Sequence, residues 1–102
     1  MEMSEFVSLA RRLDGVRCRT DDGLLSCRYH GRVVARQLDE TQVVVRCSFD
    51  IRDRWLNQFP GTFSVPARFV RHMMIVADLR GGDEGAIQDA LIAAWRLQSS
   101  SR

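Results

Sequence analysis

The stretch VRCRTDDGLLSCRYHGRVVARQLDETQVVVRCS, residues 16–48, decides the fold of this 102-residue chain. Four short segments within it alternate apolar and polar side chains, as β-strands do when one face covers a core. The segments are residues 16–20, 24–30, 32–38 and 42–48. Asp22-Gly23 and His30-Gly31 are typical of two-residue hairpin turns, and Asp39-Glu40-Thr41 separates the last two segments. The stretch therefore predicts an antiparallel meander of four strands.

Arginines occupy polar positions in all four segments, so the alternation predicts that they share the solvent-facing side of the sheet. They are Arg17, Arg19, Arg28, Arg32, Arg36 and Arg46. The acids of this region lie in the turns and do not interleave with them. Because guanidinium groups bind phosphate and neighbouring like charges repel, this face predicts an anionic partner. The alternative is a solvated sheet surface whose charges discourage edge pairing.

A helix is predicted before the strands. The apolar residues that recur at helical spacing are Phe6, Leu9, Ala10 and Leu13. Ser4 is the expected N-cap, and Gly15 occupies the position at which a left-handed C-terminal cap usually falls.

The second half of the chain predicts two more helices and two more strands. Asp50 is expected to cap a helix that stops at Pro60-Gly61, and Asp83 is expected to cap the last helix. The two strands are residues 62–65 and 73–79. A single domain of residues 1–98 is expected, followed by a disordered tail of residues 99–102. This order predicts an α+β fold, a mostly antiparallel sheet with helices on one face.

The loop of residues 66–72 is a second candidate binding element, since loops on a rigid scaffold often carry binding groups. Arg68 and Arg71 would extend the basic surface, and Phe69 would offer an apolar contact. The alternative is a solvated connection in which Phe69 covers the edge of the core.

Composition and charge exclude some classes of protein. The chain is 45% hydrophobic and has a net charge of +2. No apolar run approaches the ~20 residues that span a bilayer, and the acidic N-terminus is unlike a signal peptide. A cytoplasmic protein without a membrane partner is therefore expected. Residues 16–72 hold ten arginines against six acids, a local charge of +4, and all fifteen basic residues are Arg.

No constellation in the sequence predicts catalysis, a cofactor or a metal. Cys18, Cys27 and Cys47 fall on the apolar sides of strands, so they are expected to be reduced core thiols, not disulfide partners. Alternation sends Cys27 and His30 to opposite faces, which argues against a shared metal ion. Cys47 is expected to point into the core, which argues against a nucleophile. We therefore expect that the protein is not an enzyme.

Seven segments carry a resemblance over nearly the whole chain: FVSLA at 6–10, LDGV at 13–16, HGRVVA at 30–35, RDRWL at 52–56, PGTFSVP at 60–66, IVADL at 75–79 and LIAAWR at 91–96. In their succession the chain resembles the MmcQ/YjbR family of small bacterial proteins. The resemblance implies a secretion-chaperone-like α+β fold. It also implies DNA binding, by analogy with the double-wing domain of a phage transcription factor. Many relatives have a His-Tyr pair at the position where this chain has Arg68-Phe69. Any role of that histidine in the family is therefore not transferred to this chain.

Pattern and resemblance together predict a non-enzymatic binding module that uses no cofactor. Its expected partner is DNA or another polyanion, bound by Arg17, Arg19, Arg28, Arg32, Arg36, Arg46, Arg68 and Arg71. The alternative is a protein-interaction or chaperone-like adaptor that docks an acidic or extended segment, or another copy of the chain. The sequence leaves open whether the protein is a monomer or a homodimer.

Overall fold

The computed structural model describes residues 1–100, which form three helices and a six-stranded antiparallel sheet, so the predicted α+β fold is confirmed. The helices are α1 (Met3–Arg11), α2 (Phe49–Gln58) and α3 (Glu84–Ser100). The strands are β1 (Val16–Asp21), β2 (Leu24–Tyr29), β3 (Arg32–Gln37), β4 (Gln42–Arg46), β5 (Phe63–Ser64) and β6 (Met74–Asp78), and a short 3₁₀ helix spans Ala67–Phe69. Their order in the sheet is β1-β2-β3-β4-β6-β5.

Local turn chemistry sets the register of the first four strands. Both residues of Asp22-Gly23 and both residues of His30-Gly31 adopt positive φ, as two-residue hairpin turns of type I′ require. Asp39 closes the third turn, because its Oδ1 accepts the backbone N–H groups of Thr41 and Gln42, each at 2.9 Å. The predicted antiparallel meander is confirmed.

The main core lies between the sheet and its helices. α1 packs on β1, and α3 packs across β3 and β4. α2 contributes Trp55, Leu56 and Phe59 to the same core. The bulkiest fully buried side chains are Ile75, Leu79, Ile87 and Leu91. Burying one such side chain contributes roughly 1.5–3 kcal/mol, so this core supplies the main favourable term in folding. None of the described helices is long and apolar enough to cross a membrane.

The first two helices begin earlier than the sequence predicts. α1 starts after Glu2 and not after Ser4, and the backbone N–H of Glu2 donates to the Glu5 carboxylate at 3.2 Å. α2 starts after Ser48, whose hydroxyl accepts a backbone N–H of the first turn at 3.4 Å. Asp50 therefore lies inside α2, where its charge favours the positive end of the helix dipole.

The last helix begins as predicted and ends later. The Asp83 carboxylate accepts a backbone N–H of the first turn of α3 at 2.8 Å. The helix continues through Ser100, so the first half of the predicted tail, residues 99–102, is helical. The Gln98 side chain also donates to the Val33 carbonyl at 2.6 Å, which ties this end of α3 to the sheet. The last two residues lie outside the described part of the chain.

A disulfide between Cys18 and Cys27 corrects the prediction that all three cysteines are reduced core thiols. The two residues are direct cross-strand partners in β1 and β2, with Cα atoms 4.0 Å apart. Cys47 is free and buried, as expected. Alternation placed Cys18 and Cys27 correctly on the apolar face, but the prediction did not use the register that brings them together.

Reduction of the Cys18–Cys27 disulfide is expected to lower the free energy of unfolding without abolishing the fold. The bond joins residues nine positions apart, and loop-closure entropy for a ring of that size gives ~2–3 kcal/mol. Denaturant unfolding with and without a thiol reductant measures the difference. A Cys18→Ala variant is the control, since it lacks the bond under both conditions. Equal stability of the wild-type protein in both conditions would contradict this assignment.

Candidate anion-binding surface

A β-bulge divides the arginines of the strands between the two faces of the sheet. The ladder between β2 and β3 passes over Val34, which is an extra residue in β3. An extra residue reverses the alternation of side chains beyond it. Arg32 therefore pairs with Tyr29 on the helix-covered face, and its guanidinium donates to the Gln98 carbonyl of α3 at 2.9 Å. The prediction that Arg32 lies on the same side of the sheet as the other five strand arginines is wrong, although Arg32 is exposed.

The other five strand arginines share the face that points away from α1 and α3, which we call the outer face. Arg17 and Arg28 are direct cross-strand partners, and Arg19 lies two residues further along β1. These three arginines, with Gly15, Asp21 and His30, line a cavity of about 600 Å³. We call this cavity the arginine basin.

Gly15 closes one end of the arginine basin. It adopts a φ of +78°, and a Cβ atom at this position would lie 2.6 Å from the Tyr29 ring and 3.2 Å from the His30 imidazole. Only glycine allows the turn between α1 and β1 to approach the β2–β3 hairpin so closely. Because α1 already ends at Arg11, Gly15 serves this contact instead of the predicted cap of the helix.

Arg28 is held in place within the basin. Its Nε donates to the Ser26 hydroxyl at 3.2 Å, and a terminal nitrogen donates to the Gly31 carbonyl at 3.2 Å. A guanidinium has five N–H donors, so these bonds fix its orientation and leave further donors for a ligand. A ligand that binds Arg28 therefore loses little side-chain entropy on binding.

Among residues 1–100, ion pairs do not balance the positive charge of the basin. The described part of the chain places no carboxylate oxygen within 4.0 Å of a guanidinium nitrogen of Arg17, Arg19 or Arg28. Asp21 is the one acid among the described residues that line the cavity, and it ends β1, so the expectation that every acid of this region lies in a turn is wrong for Asp21. Because Arg17 and Arg28 face each other across two strands, their charges repel. An anion bound between them would remove that repulsion.

The other half of the outer face is covered by residues 66–72. Val44 and Val76 lie on this face by register, yet they are only 2% and 1% exposed. Phe69 of the covering segment places its ring centroid 5.8 Å from the guanidinium carbon of Arg36, the cross-strand neighbour of Val44. The outer face is therefore open at β1 and β2 and covered near β4 and β6.

The remaining predicted arginines lie around this covering segment. The guanidinium carbon of Arg68 is 4.8 Å from the Phe69 ring centroid, so Phe69 lies near two cations. Arg68 and Arg71 are exposed, whereas Arg46 is half-buried and its Nε has no hydrogen-bond partner among the described residues. Phe69 thus lies next to Arg36 of the sheet, and the exposed Arg68 adds a second positive charge there.

Arg52 of α2 holds the covering segment in place. Its guanidinium donates to three backbone carbonyls, those of His72 at 2.8 Å, Val70 at 3.0 Å and Phe69 at 3.4 Å. Its guanidinium carbon also lies 4.8 Å from the centroid of the Phe49 ring. Arg52 is only 9% exposed, so carbonyl dipoles and an aromatic face take the place of water around its charge.

Sequence reasoning did not identify Arg52, although the sequence contains a signal for it. Arg52, Trp55, Leu56 and Phe59 recur at the spacing of one helical stripe. An arginine at an inward position of an amphipathic helix must find polar partners, because burying an uncompensated charge is very costly. Its partners lie 17 to 20 residues further along the chain, which the helical pattern does not show.

Cys47 is a buried thiol whose pKa is shifted by its surroundings. Burial raises its pKa to about 11, although the nearby charges of Arg52 and Arg46 act in the opposite direction. Such a thiol stays protonated at neutral pH and is a poor nucleophile. Within residues 1–100, no group of three or more His, Cys, Asp or Glu side chains could hold a metal ion. The chemistry that this surface offers is the binding of anions by arginine.

Comparisons of the chain with protein-family models, with curated proteins and with solved structures give no match.

Proposed function

We propose that the protein is a non-enzymatic binding module that holds DNA or another polyanion on its outer face, with the arginine basin as the main contact. The observation that carries the proposal is the convergence of Arg17, Arg19 and Arg28 on one open cavity without a carboxylate partner. Planar guanidinium groups bind phosphate oxygens through paired hydrogen bonds. A phosphate in the basin would add negative charge beyond that of Asp21, the one acid among the described residues that line it.

The proposed contact with the polyanion extends from the arginine basin across the sheet. Arg36 is the cross-strand partner of Ser26, a residue of the basin wall, and Arg68 shares the Phe69 ring with Arg36. Neighbouring strands lie about 5 Å apart, so a polyanion that leaves β1 reaches Arg36 within about 10 Å. Arg46 adds positive charge further along the same face, and Arg71 belongs to the proposed contact as an exposed residue of the covering segment.

DNA is the polyanion that the resemblance to the MmcQ/YjbR family favours. No Phe, Tyr or Trp is among the residues that line the basin, so base stacking would contribute little there. We therefore expect recognition of the phosphate backbone with little dependence on base sequence. We propose the bacterial cytoplasm as the compartment in which the protein works. A disulfide such as Cys18–Cys27 is uncommon in cytoplasmic proteins.

A second candidate is an adaptor that docks an acidic, extended segment of a partner protein. The observation that favours it is the position of β1, which is an edge strand and borders the basin. An extended peptide that pairs with β1 would place its acidic side chains near Arg17 and Arg19. The two candidates differ in the polymer that the same arginines bind.

Duplex DNA binding is expected to weaken steeply as salt rises. Four phosphate contacts predict a loss of about 100-fold in affinity between about 50 and 200 mM salt, because bound counterions are released on association. Fluorescence anisotropy of a labelled duplex measures this change. If neither duplex nor single-stranded DNA binds at the lower salt concentration, the nucleic-acid proposal is wrong. Binding of an acidic peptide in that case would favour the adaptor.

A further inference from the structure

We infer that the arginine basin receives the end of a nucleic-acid strand, with a terminal phosphate monoester bound among Arg17, Arg19 and Arg28. The inference rests on the proposed function and names the chemical group that the basin selects. It distinguishes a strand end from the internal phosphodiesters that a continuous duplex would present.

The shape of the basin favours a strand end. The turn at Gly15 and the hairpin turn at His30-Gly31 close it at one end, and β1 and β2 form its floor. Its volume of about 600 Å³ lies in the range of small-molecule pockets, roughly 300–1,000 Å³. A duplex laid across the sheet would contact the rim of such a cavity, whereas the last nucleotide of a strand can enter it.

The charge of the basin favours a monoester over a diester. Three guanidinium groups face a single internal acid, Asp21, among the lining residues. A phosphate monoester carries a charge of about −1.5 to −2 at pH 7 and has three strong acceptor oxygens. An internal phosphodiester carries one charge and two free oxygens, so it satisfies fewer of the donors of Arg17, Arg19 and Arg28. The terminal group therefore neutralises more of the basin.

The position of Asp21 determines the direction in which the strand leaves. Asp21 lies two residues beyond Arg19 on the same face of β1, so its carboxylate would repel a phosphate that continued along this strand. Arg36 lies on the other side of the basin, next to Ser26. The strand therefore leaves across β3, toward Arg36 and the exposed Arg68.

Oligonucleotides that differ only at their ends test the inference. A short single strand with an internal fluorophore is prepared with a 5′-phosphate, with a 3′-phosphate, and with hydroxyl groups at both ends. A hydroxyl-ended strand two nucleotides longer matches the total charge of the phosphorylated ones. We expect at least one phosphorylated strand to bind about tenfold more tightly than the charge-matched strand, as one additional charge-assisted contact predicts.

The remaining outcomes of this experiment distinguish failure of the strand-end inference from failure of the proposed function. Equal binding of all strands would overturn the strand-end inference and leave the proposed function intact. Absence of binding by every strand at low salt would overturn the proposed function itself. A 5′-mononucleotide that binds as tightly as the phosphorylated strand would also overturn the inference, because the basin would then select a free nucleotide.

Variants locate the preference within the basin. Arg28→Gln and, separately, Arg19→Gln are expected to bring the ratio of affinities for phosphorylated and charge-matched strands to about one. Arg12→Gln, at the C-cap of α1, is the control and should change neither affinity. The ratio does not depend on the fraction of folded protein, so it remains informative for a variant that is less stable. An unchanged ratio in both basin variants would overturn the inference.

Discussion

Replacing Arg52 with methionine is expected to lower the free energy of unfolding by about 2–3 kcal/mol. Methionine keeps much of the apolar stem but removes every donor of the guanidinium group. The carbonyls of Phe69, Val70 and His72 then lose a charged hydrogen-bond donor that holds them together. For a domain of this size the melting temperature should fall by about 10–20 °C. Denaturant unfolding and thermal melts measure the two changes.

Arg54→Met is the matched control for this prediction. Arg54 lies on the same helix and is exposed, so its replacement should change the free energy of unfolding by less than about 0.5 kcal/mol. Arg52→Lys should fall between the two, because an ammonium group keeps the charge but cannot present the planar fork of donors. If Arg52→Met is as stable as Arg54→Met, the hydrogen bonds of Arg52 do not stabilise the fold.

The strand pattern was predictable because its signals are local. The alternation of apolar and polar residues and the two-residue turns both depend on residues close together in sequence, so they specify the meander without reference to long-range contacts. The bulge at Val34 has no such signal. The run Val33-Val34-Ala35 is apolar throughout, so either side of the sheet can accept each of its residues. Packing against α3 selects the arrangement, and Arg32 changes face as a consequence.

The disulfide could have been predicted from the same local signals. In a hairpin with a two-residue turn at Asp22-Gly23, direct cross-strand partners have residue numbers that add up to 45. Cys18 and Cys27 are such a pair. The expectation of reduced thiols came from the apolar positions of the cysteines and from the expected compartment, which are weaker arguments than register. Strand register therefore takes priority over composition when two cysteines share a face.

The candidate site was predictable as a set of charges but not as a cavity. Arg17, Arg19 and Arg28 are visible as outward strand residues in the sequence. Their enclosure depends on Gly15, which brings the turn after α1 against His30 at the tip of another hairpin. That contact joins residues 15 positions apart in sequence and follows from the packing of α1 on β1. Sequence pattern alone does not specify such an approach.

Loss of the basin arginines is expected to have the largest effect on binding. Each charge-assisted contact that is removed costs roughly 1–2 kcal/mol, and the three contacts act on the same ligand. The variant that combines Arg17→Ala, Arg19→Ala and Arg28→Ala should therefore bind duplex DNA at least about 100-fold less tightly than the wild type at about 50 mM salt. Its affinity should also depend less steeply on salt, because fewer phosphates are neutralised.

The most direct test of the account compares this variant with one that has the same net charge. Arg11→Ala, Arg12→Ala and Arg96→Ala remove three exposed arginines from the end of α1, its C-cap and α3, on the opposite side of the sheet. Anisotropy titrations of labelled duplex should show the 100-fold loss for the basin variant and less than about threefold for the control. Equal losses in the two variants would contradict the account, because net charge and not the arginine basin would then determine binding.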